Sequence, residues 1–400
     1  MEKEKNSLAA KLFVLIFCGA LVIVMIVSAV KVKETYSYYE NRNLAVFPEL
    51  TWETVLTGEW GAAVDKYLAD HSAGRDYMLA ASTIFDAYIL RQPLVNQVVI
   101  GDDILLPEIP LWMTSTYNIP TQVAKVTENV VGLDTLVESY GGEYYFVAVP
   151  CQYAHFPDEY PWYIDNRSAY TEQSRAALSA SLQGANVNYI DIGDVFAEYG
   201  WADYLSSKID NHYSIYGAYL TYLEIMEHIN ADREDDLDVL TEGEYEIRML
   251  PNPYMGSRLR KLMGLWPSDE KLGIFVPNTE IPFTRKNNGV EVSPALYWMP
   301  VDETSNVLYS LYMGGDIAFT EIDTNREELP SILVYGDSFT NAVECIIYYG
   351  FDTMYSIDMR HYTATTLGEF IEQYQPDIVV CIRDYETMLW ETGNGCGVTN

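Results

Sequence analysis

Basic residues are scarce in this chain. Its 400 residues carry 24 Lys+Arg against 58 Asp+Glu, a formal net charge of −34. A nucleic-acid partner needs a basic footprint for its phosphates, and this balance disfavours one. A polyanionic glycan is awkward for the same reason unless a local basic pocket receives it. Cysteine is sparse as well: five residues, with no CxxC pair and no metal-ligand spacing. Cys151, Cys345 and Cys381 sit in or beside apolar runs, which favours buried thiols over a disulfide framework, and Cys396 completes the set outside the first segment. Internal repeats and low-complexity tracts are absent, and no cofactor is expected.

Apolar residues are plentiful at 49%, enough to bury a sizeable core. One uncharged run, Leu12 to Val30, is long enough to span a bilayer. Lys3, Lys5 and Lys11 precede it, and Lys31 and Lys33 follow. Val27-Ser28-Ala29 offers a cleavage site, but the run exceeds a usual signal-peptide core, so an uncleaved anchor with residues 34–400 outside the cell is expected. The expected division is an anchor over 1–33, a lead-in over 34–120, an α/β domain over 121–390 with a β-rich insertion at about 245–330, and a tail over 391–400.

Within the lead-in, the pattern predicts a helix over Trp52–Leu68 and another over Met78–Leu90, with a hairpin at Val98–Leu106 turning at Gly101-Asp102-Asp103. His71 and Arg75 read as a helix end and a solvated turn. From Thr121 the chain alternates helix and strand, and Tyr144–Val149, Val187–Ile192, Ile332–Tyr335, Thr353–Ile357 and Asp377–Ile382 are the expected strands. Such alternation predicts a mostly parallel sheet with helices on both faces.

Two short motifs fall at element boundaries. Gly336-Asp337-Ser338 follows the apolar run Ile332–Tyr335 and opens a helix, which would place Ser338 at the carboxyl edge of the sheet and at a helix amino end. Asp210-Asn-His212 precedes Ser214, a candidate cap for a helix from Ile215 to about Ile229. Residues two apart on an extended segment project to one face, so Asp210 could hold one nitrogen of His212 while the other points outward. A hydroxyl is a weak nucleophile at neutral pH, and this trio is what activates one. Backbone N–H groups after Gly336, and Gly314-Gly315, are candidate donors to an oxyanion. A metal site built from Asp210, His212 and Asp337 is the competing use of the same residues.

The ordered set of motifs resembles the bacterial DHHW family, and more distantly the SGNH-like domains of the alginate O-acetyltransferases. The matching pieces are the membrane segment, Glu40-Asn-Arg-Asn-Leu-Ala-Val-Phe-Pro48, Asp70-His-Ser-Ala-Gly-Arg-Asp76 and Asp210-Asn-His-Tyr213. Met255-Gly-Ser257, Gly314-Gly-Asp316, Gly336-Asp-Ser-Phe339 and Ile357-Asp-Met-Arg360 follow. Asn211 and Tyr213 stand where the family motif has His and Trp. The resemblance implies an SGNH-like, flavodoxin-like α/β fold in which Ser338 is nucleophile, His212 base and Asp210 the orienting acid. It adds Arg360 as a candidate substrate contact; Gly315, Phe339 and Tyr213 are further substrate or oxyanion candidates near the same motifs. It implies an acyl transferase or esterase acting on O-acetyl groups of a cell-envelope or exopolysaccharide glycan, with a membrane acyl-donor protein as a further partner. A non-catalytic glycan- or partner-binding surface protein on the same fold is the alternative, and a long Ser338–His212 separation would favour it.

Overall fold

Eight strands build the central sheet: β1 Glu143–Val149, β2 Asn188–Asp191, β3 Thr284–Asn287, β4 Val290–Val292, β5 Phe319–Asp323, β6 Ile332–Gly336, β7 Thr353–Asp358 and β8 Ile378–Asp384. The computed structural model describes residues 2–31, 33–109, 116–231, 233 and 235–390; Cys396 and the expected tail over 391–400 lie outside them. In space the order is β4-β3-β5-β7-β6-β8-β1-β2. The five strands from β7 to β2 are parallel, with Gly336 opposite Asp358 on one side and Ile382 on the other. β6 and β8 are buried along their whole length, and β1 along all but its first residue. Strands covered on both faces read as unbroken apolar runs, which is why the sequence displays them so clearly.

Helices cover both faces. Ile119–Glu138, Ser168–Gly184 and Leu367–Tyr374 pack together on one, and Ile215–Asn230 packs with Thr340–Ile347 on the other. Counted from β6, the parallel strands run β7-β6-β8-β1-β2, the doubly wound 2-1-3-4-5 order with its chain start displaced. The displacement explains why an Asp-x-His segment comes before the Gly-Asp-Ser segment along this chain. It also puts the loop after β6 at the point where strand order reverses, the crevice in which open α/β sheets place their ligands.

The expected β-rich insertion divides in two. Tyr245–Met249 and Gly273–Pro277 form a separate antiparallel pair, whereas β3, β4 and β5 extend the main sheet through antiparallel pairing of β5 with β7.

The chain folds as two compact units: Met1–Asn96 with Leu259–Trp266, and Gln97–Arg258 with Pro267–Asn400. The sheet belongs to the second. In the first, the helix Glu2–Val30 includes Leu8–Val30, 23 residues long and apolar enough to cross a membrane, with none of that stretch buried. The expected single helix over Trp52–Leu68 is broken at Gly58, whose φ of +82° ends Trp52–Thr57 and starts Glu59–Asp70. His71 and Arg75 are not a solvated turn. Asp70 is buried, and its carboxylate accepts two bonds from Arg42, at 2.8 and 2.5 Å, and one from the Ala45 N–H at 2.8 Å. His71 Nε2 lies 2.8 Å from the Ala45 carbonyl, and Arg75 pairs with Glu40. The hydrogen bonds from Arg42 hold the Asp70 carboxyl well below the usual carboxylate range, against its burial. Two motifs well separated in sequence are therefore halves of one structural lock.

Candidate active site

Ser338 emerges from β6 on a turn that only glycine can enter. A Cβ on Gly336 would stand 2.1 Å from the Ile382 carbonyl of neighbouring β8, so the glycine is required for close approach rather than for a positive φ. Asp337 then fixes the turn, accepting the Phe339 N–H at 3.0 Å, and the helix Thr340–Ile347 begins directly after it. Opposite, residues 205–214 fold back on themselves: the Ser207 N–H reaches the His212 carbonyl at 3.2 Å, and the Ser214 N–H reaches Leu205 at 2.9 Å. The Ser214 hydroxyl accepts the N–H groups of Tyr216 and Gly217, capping Ile215–Asn230 as its sequence foretells.

The two segments meet at their functional side chains. Ser338 Oγ lies 2.8 Å from His212 Nε2, and His212 Nδ1 lies 2.5 Å from Asp210 Oδ1. Asp210 also accepts the His212 N–H at 3.3 Å and, on its other oxygen, the Ser257 N–H at 2.5 Å. Burial works against its charge, but His212, the Ser257 N–H and Arg258 outweigh it and hold this carboxyl well below the usual range. An ionised carboxylate only accepts, so Nδ1 carries the imidazole proton and Nε2 is free to accept from the Ser338 hydroxyl. Asp210 and His212 are both buried, while Ser338 is partly exposed, so of the three it is the nucleophile's residue that solvent reaches.

Other candidates from the sequence take different places. Tyr213 is buried and its hydroxyl donates to the Phe339 carbonyl, so it braces the turn around Ser338 from inside. The Phe339 N–H is occupied by Asp337, and the Gly315 N–H by the Tyr312 carbonyl at 3.0 Å. Among the described residues, neither the Ser338 N–H nor the Gly314 N–H is engaged by an acceptor, so these two remain as candidate donors to an oxyanion. Arg360 binds Asp358 through Nε at 3.0 Å and pairs with Asp316 at 3.0 Å, while Asn341 Nδ2 holds Asp316 at 3.2 Å. Asp316, Asp358 and His361 could gather round a metal ion, but the Arg360 guanidinium already engages both carboxylates. Asp337 does not turn toward Asp210 and His212 as the competing metal arrangement requires. Its carboxylate is buried against Arg383 at 3.2 Å and Thr387 Oγ1 at 3.0 Å.

Sequence reading missed a neighbour of the imidazole and a brace of the loop that carries it. Tyr309 lies flat on His212, with ring centroids 3.5 Å apart and planes 2° from parallel. No motif surrounds Tyr309, and one tyrosine among 33 carries no signal of its own. Gln152 follows β1 and donates to the carbonyls of Leu105 and Ser207 at 2.9 and 3.0 Å, tying down the loop that bears His212. Ser257 was visible only as part of Met255-Gly-Ser257; its backbone N–H on Asp210 and its hydroxyl, 3.0 Å from Asn211 Oδ1, give that motif a physical reason.

No protein-family model and no curated protein matches the chain, but solved structures do. Bacillus cereus PatB1, in a structure with a sulfonyl adduct, superposes with a TM-score of 0.63 at 19% identity, covering 76% of this chain and 98% of that one. A DHHW family protein from Eubacterium siraeum gives 0.51 at 16% identity, covering 68% and 88%. The O-acetyltransferase domain of Pseudomonas putida AlgJ aligns at 0.46 and 12% identity, covering 74% and 93%. At these identities the shared property is the fold, a mixed α/β architecture with a large, mostly parallel sheet.

Proposed function

We propose that this chain is a membrane-anchored, extracytoplasmic acyl transferase or esterase acting on O-acetyl groups of a cell-envelope or exopolysaccharide glycan. The observation that carries the reading is the continuous hydrogen-bonded line Ser338–His212–Asp210, with both links within 2.8 Å. A surface protein that merely binds glycan has no need to hold a hydroxyl, an imidazole and an ionised carboxylate in that order. The acetyl ester as substrate comes from the resemblance of the motif set; the apolar helix at the amino end supports the anchor, and the outward placement rests on the expectation that residues 34–400 follow an uncleaved anchor.

In the proposed reaction, Ser338 Oγ attacks the ester carbonyl as its proton passes to His212 Nε2. Asp210 stabilises the imidazolium, and the Ser338 N–H at the amino end of Thr340–Ile347 faces the tetrahedral oxyanion. Collapse breaks the ester C–O bond, and the departing alcohol takes the proton from His212. An acyl-serine remains. A sugar hydroxyl or water then attacks it, giving its proton to His212 and regenerating Ser338. Transferase and esterase differ only in this second half.

The experiment is turnover of p-nitrophenyl acetate with and without a neutral oligosaccharide acceptor. Release of nitrophenol that depends on Ser338 and His212, with acetyl recovered on the sugar, supports transfer; acetate alone supports hydrolysis. Equal release by Ser338→Ala would refute the assignment.

A further inference from the structure

We propose that an apolar face of the N-terminal unit, centred on residues 46–56, lies in the bilayer surface among zwitterionic lipid headgroups and upper acyl chains. The proposal rests on reading Glu2–Val30 as a membrane anchor, and adds a second membrane contact to it.

Large apolar side chains are concentrated in this segment and face outward: Val46 is 86% exposed, Leu50 67%, Trp52 84% and Leu56 83%, with Phe47 and Val55 also exposed. So much exposed apolar surface within one short segment marks a site of association rather than ordinary surface. Its position says what covers it. The Ala73 N–H donates to Ser28 Oγ at 2.8 Å, and Lys33 Nζ donates to the Ser28 carbonyl. Ser28 lies in the last turn of the apolar stretch Leu8–Val30. Lys33 sits over the Tyr67 ring, 5.7 Å from its centroid, and Phe47 packs edge-on against the same ring at 5.2 Å. A continuous set of contacts thus ties the segment to the end of the span, the level at which hydrocarbon gives way to headgroups. A stretch of 23 helical residues is about 34 Å long at 1.5 Å per residue, which matches the hydrocarbon thickness with little to spare.

The chemistry fits that level. Trp, Phe, Leu and Val supply apolar area, and an indole N–H can stay at the wet edge. Glu49, Glu53 and Glu59 are exposed beside them, so attraction to anionic lipid is not the driving force. Burial of apolar surface against a zwitterionic bilayer is.

The test uses the full chain reconstituted in phosphatidylcholine vesicles, with plain acyl chains or with chains brominated near the headgroup. Subtracting the emission of Trp52→Phe isolates Trp52 from the other tryptophans. The proposal expects this difference emission to be lost in brominated vesicles and to persist when iodide is present on both sides of the bilayer. Quenching by iodide and not by bromine would overturn it, and would instead fit a face left in water for a protein partner. An alkaline carbonate wash of the same vesicles separates the two readings: release of the chain refutes the anchor and the face together, whereas retention with Trp52 open to iodide refutes the face alone.

Discussion

A serine hydroxyl becomes useful only when its neighbours are held in one protonation state and one orientation, and here every neighbour has a second constraint. Asp210 accepts from His212 Nδ1 on one oxygen and from the Ser257 N–H on the other. An asparagine at 210 presents one acceptor to these two donors, so one of them must face an NH2 group. Asp210→Asn is therefore expected to fold but to lose about four orders of magnitude in kcat, because the imidazole takes the wrong tautomer. Steady-state kinetics on an activated acetyl ester, with thermal melting as the folding control, checks this; a loss of less than about tenfold would contradict it. At this scale the sequence was legible wherever side chains carry the signal. Ser338, His212 and Asp210 lie in short motifs at element boundaries. The N–H groups after Gly336 showed through the glycine that precedes them; the Ser257 N–H does not, because any residue has a backbone, and the Tyr309 stack does not, because ring geometry leaves no trace in residue order.

Among elements, the support beneath the Ser338 turn is charged and buried. Arg383, at the end of β8, pairs with Asp337 at 3.2 Å and donates to the Thr387 carbonyl at 3.2 Å. Asp384 lies next to Arg383 on the same strand and is also buried. Arg383→Met removes the cation and leaves Asp337 without its charge partner in a dry site, a change expected to cost about 3–5 kcal/mol of stability. Adding Asp337→Asn should recover much of that, since the amide can still accept the Phe339 N–H without a charge. Urea unfolding of the three proteins measures both effects, and additive losses in the double variant would contradict the pairing. Most elements could be read from periodicity: Ile215–Asn230 and the parallel strands lie close to where apolar spacing puts them. The helix break at Gly58 was missed because a positive φ interrupts a helix without interrupting its apolar spacing. The fusion of β3–β5 to the main sheet was missed because pairing partners distant in sequence leave no local mark.

For the whole molecule, buried acids set the response to pH. Burial, reinforced by Asp337 and Glu386, pushes the Asp384 carboxyl up to about 8. Partial burial likewise takes Glu270 to about 7. In the unfolded chain both ionise near pH ~4. Between there and pH ~8 the folded protein holds protons that the unfolded chain has released, so these groups make stability fall as pH rises. His155 has the opposite bias: burial lowers it to about 4, which costs stability only below its unfolded value of about 6.5. The melting temperature should therefore decline from pH ~6.5 to ~8, and Asp384→Asn should flatten the decline. A melting temperature that rises across this window would contradict the account. The net charge of −34 acts at the same scale, favouring solubility and a neutral rather than polyanionic substrate.

The central claim is that Ser338 is a nucleophile activated by His212. Its most direct test is the intact mass of the purified protein after exposure to a fluorophosphonate, with peptide mapping of the adduct. The account predicts one adduct, on Ser338, abolished in Ser338→Ala and in His212→Ala while both variants melt as the parent does. An unmodified Ser338 in folded protein, or equal labelling of His212→Ala, would contradict it.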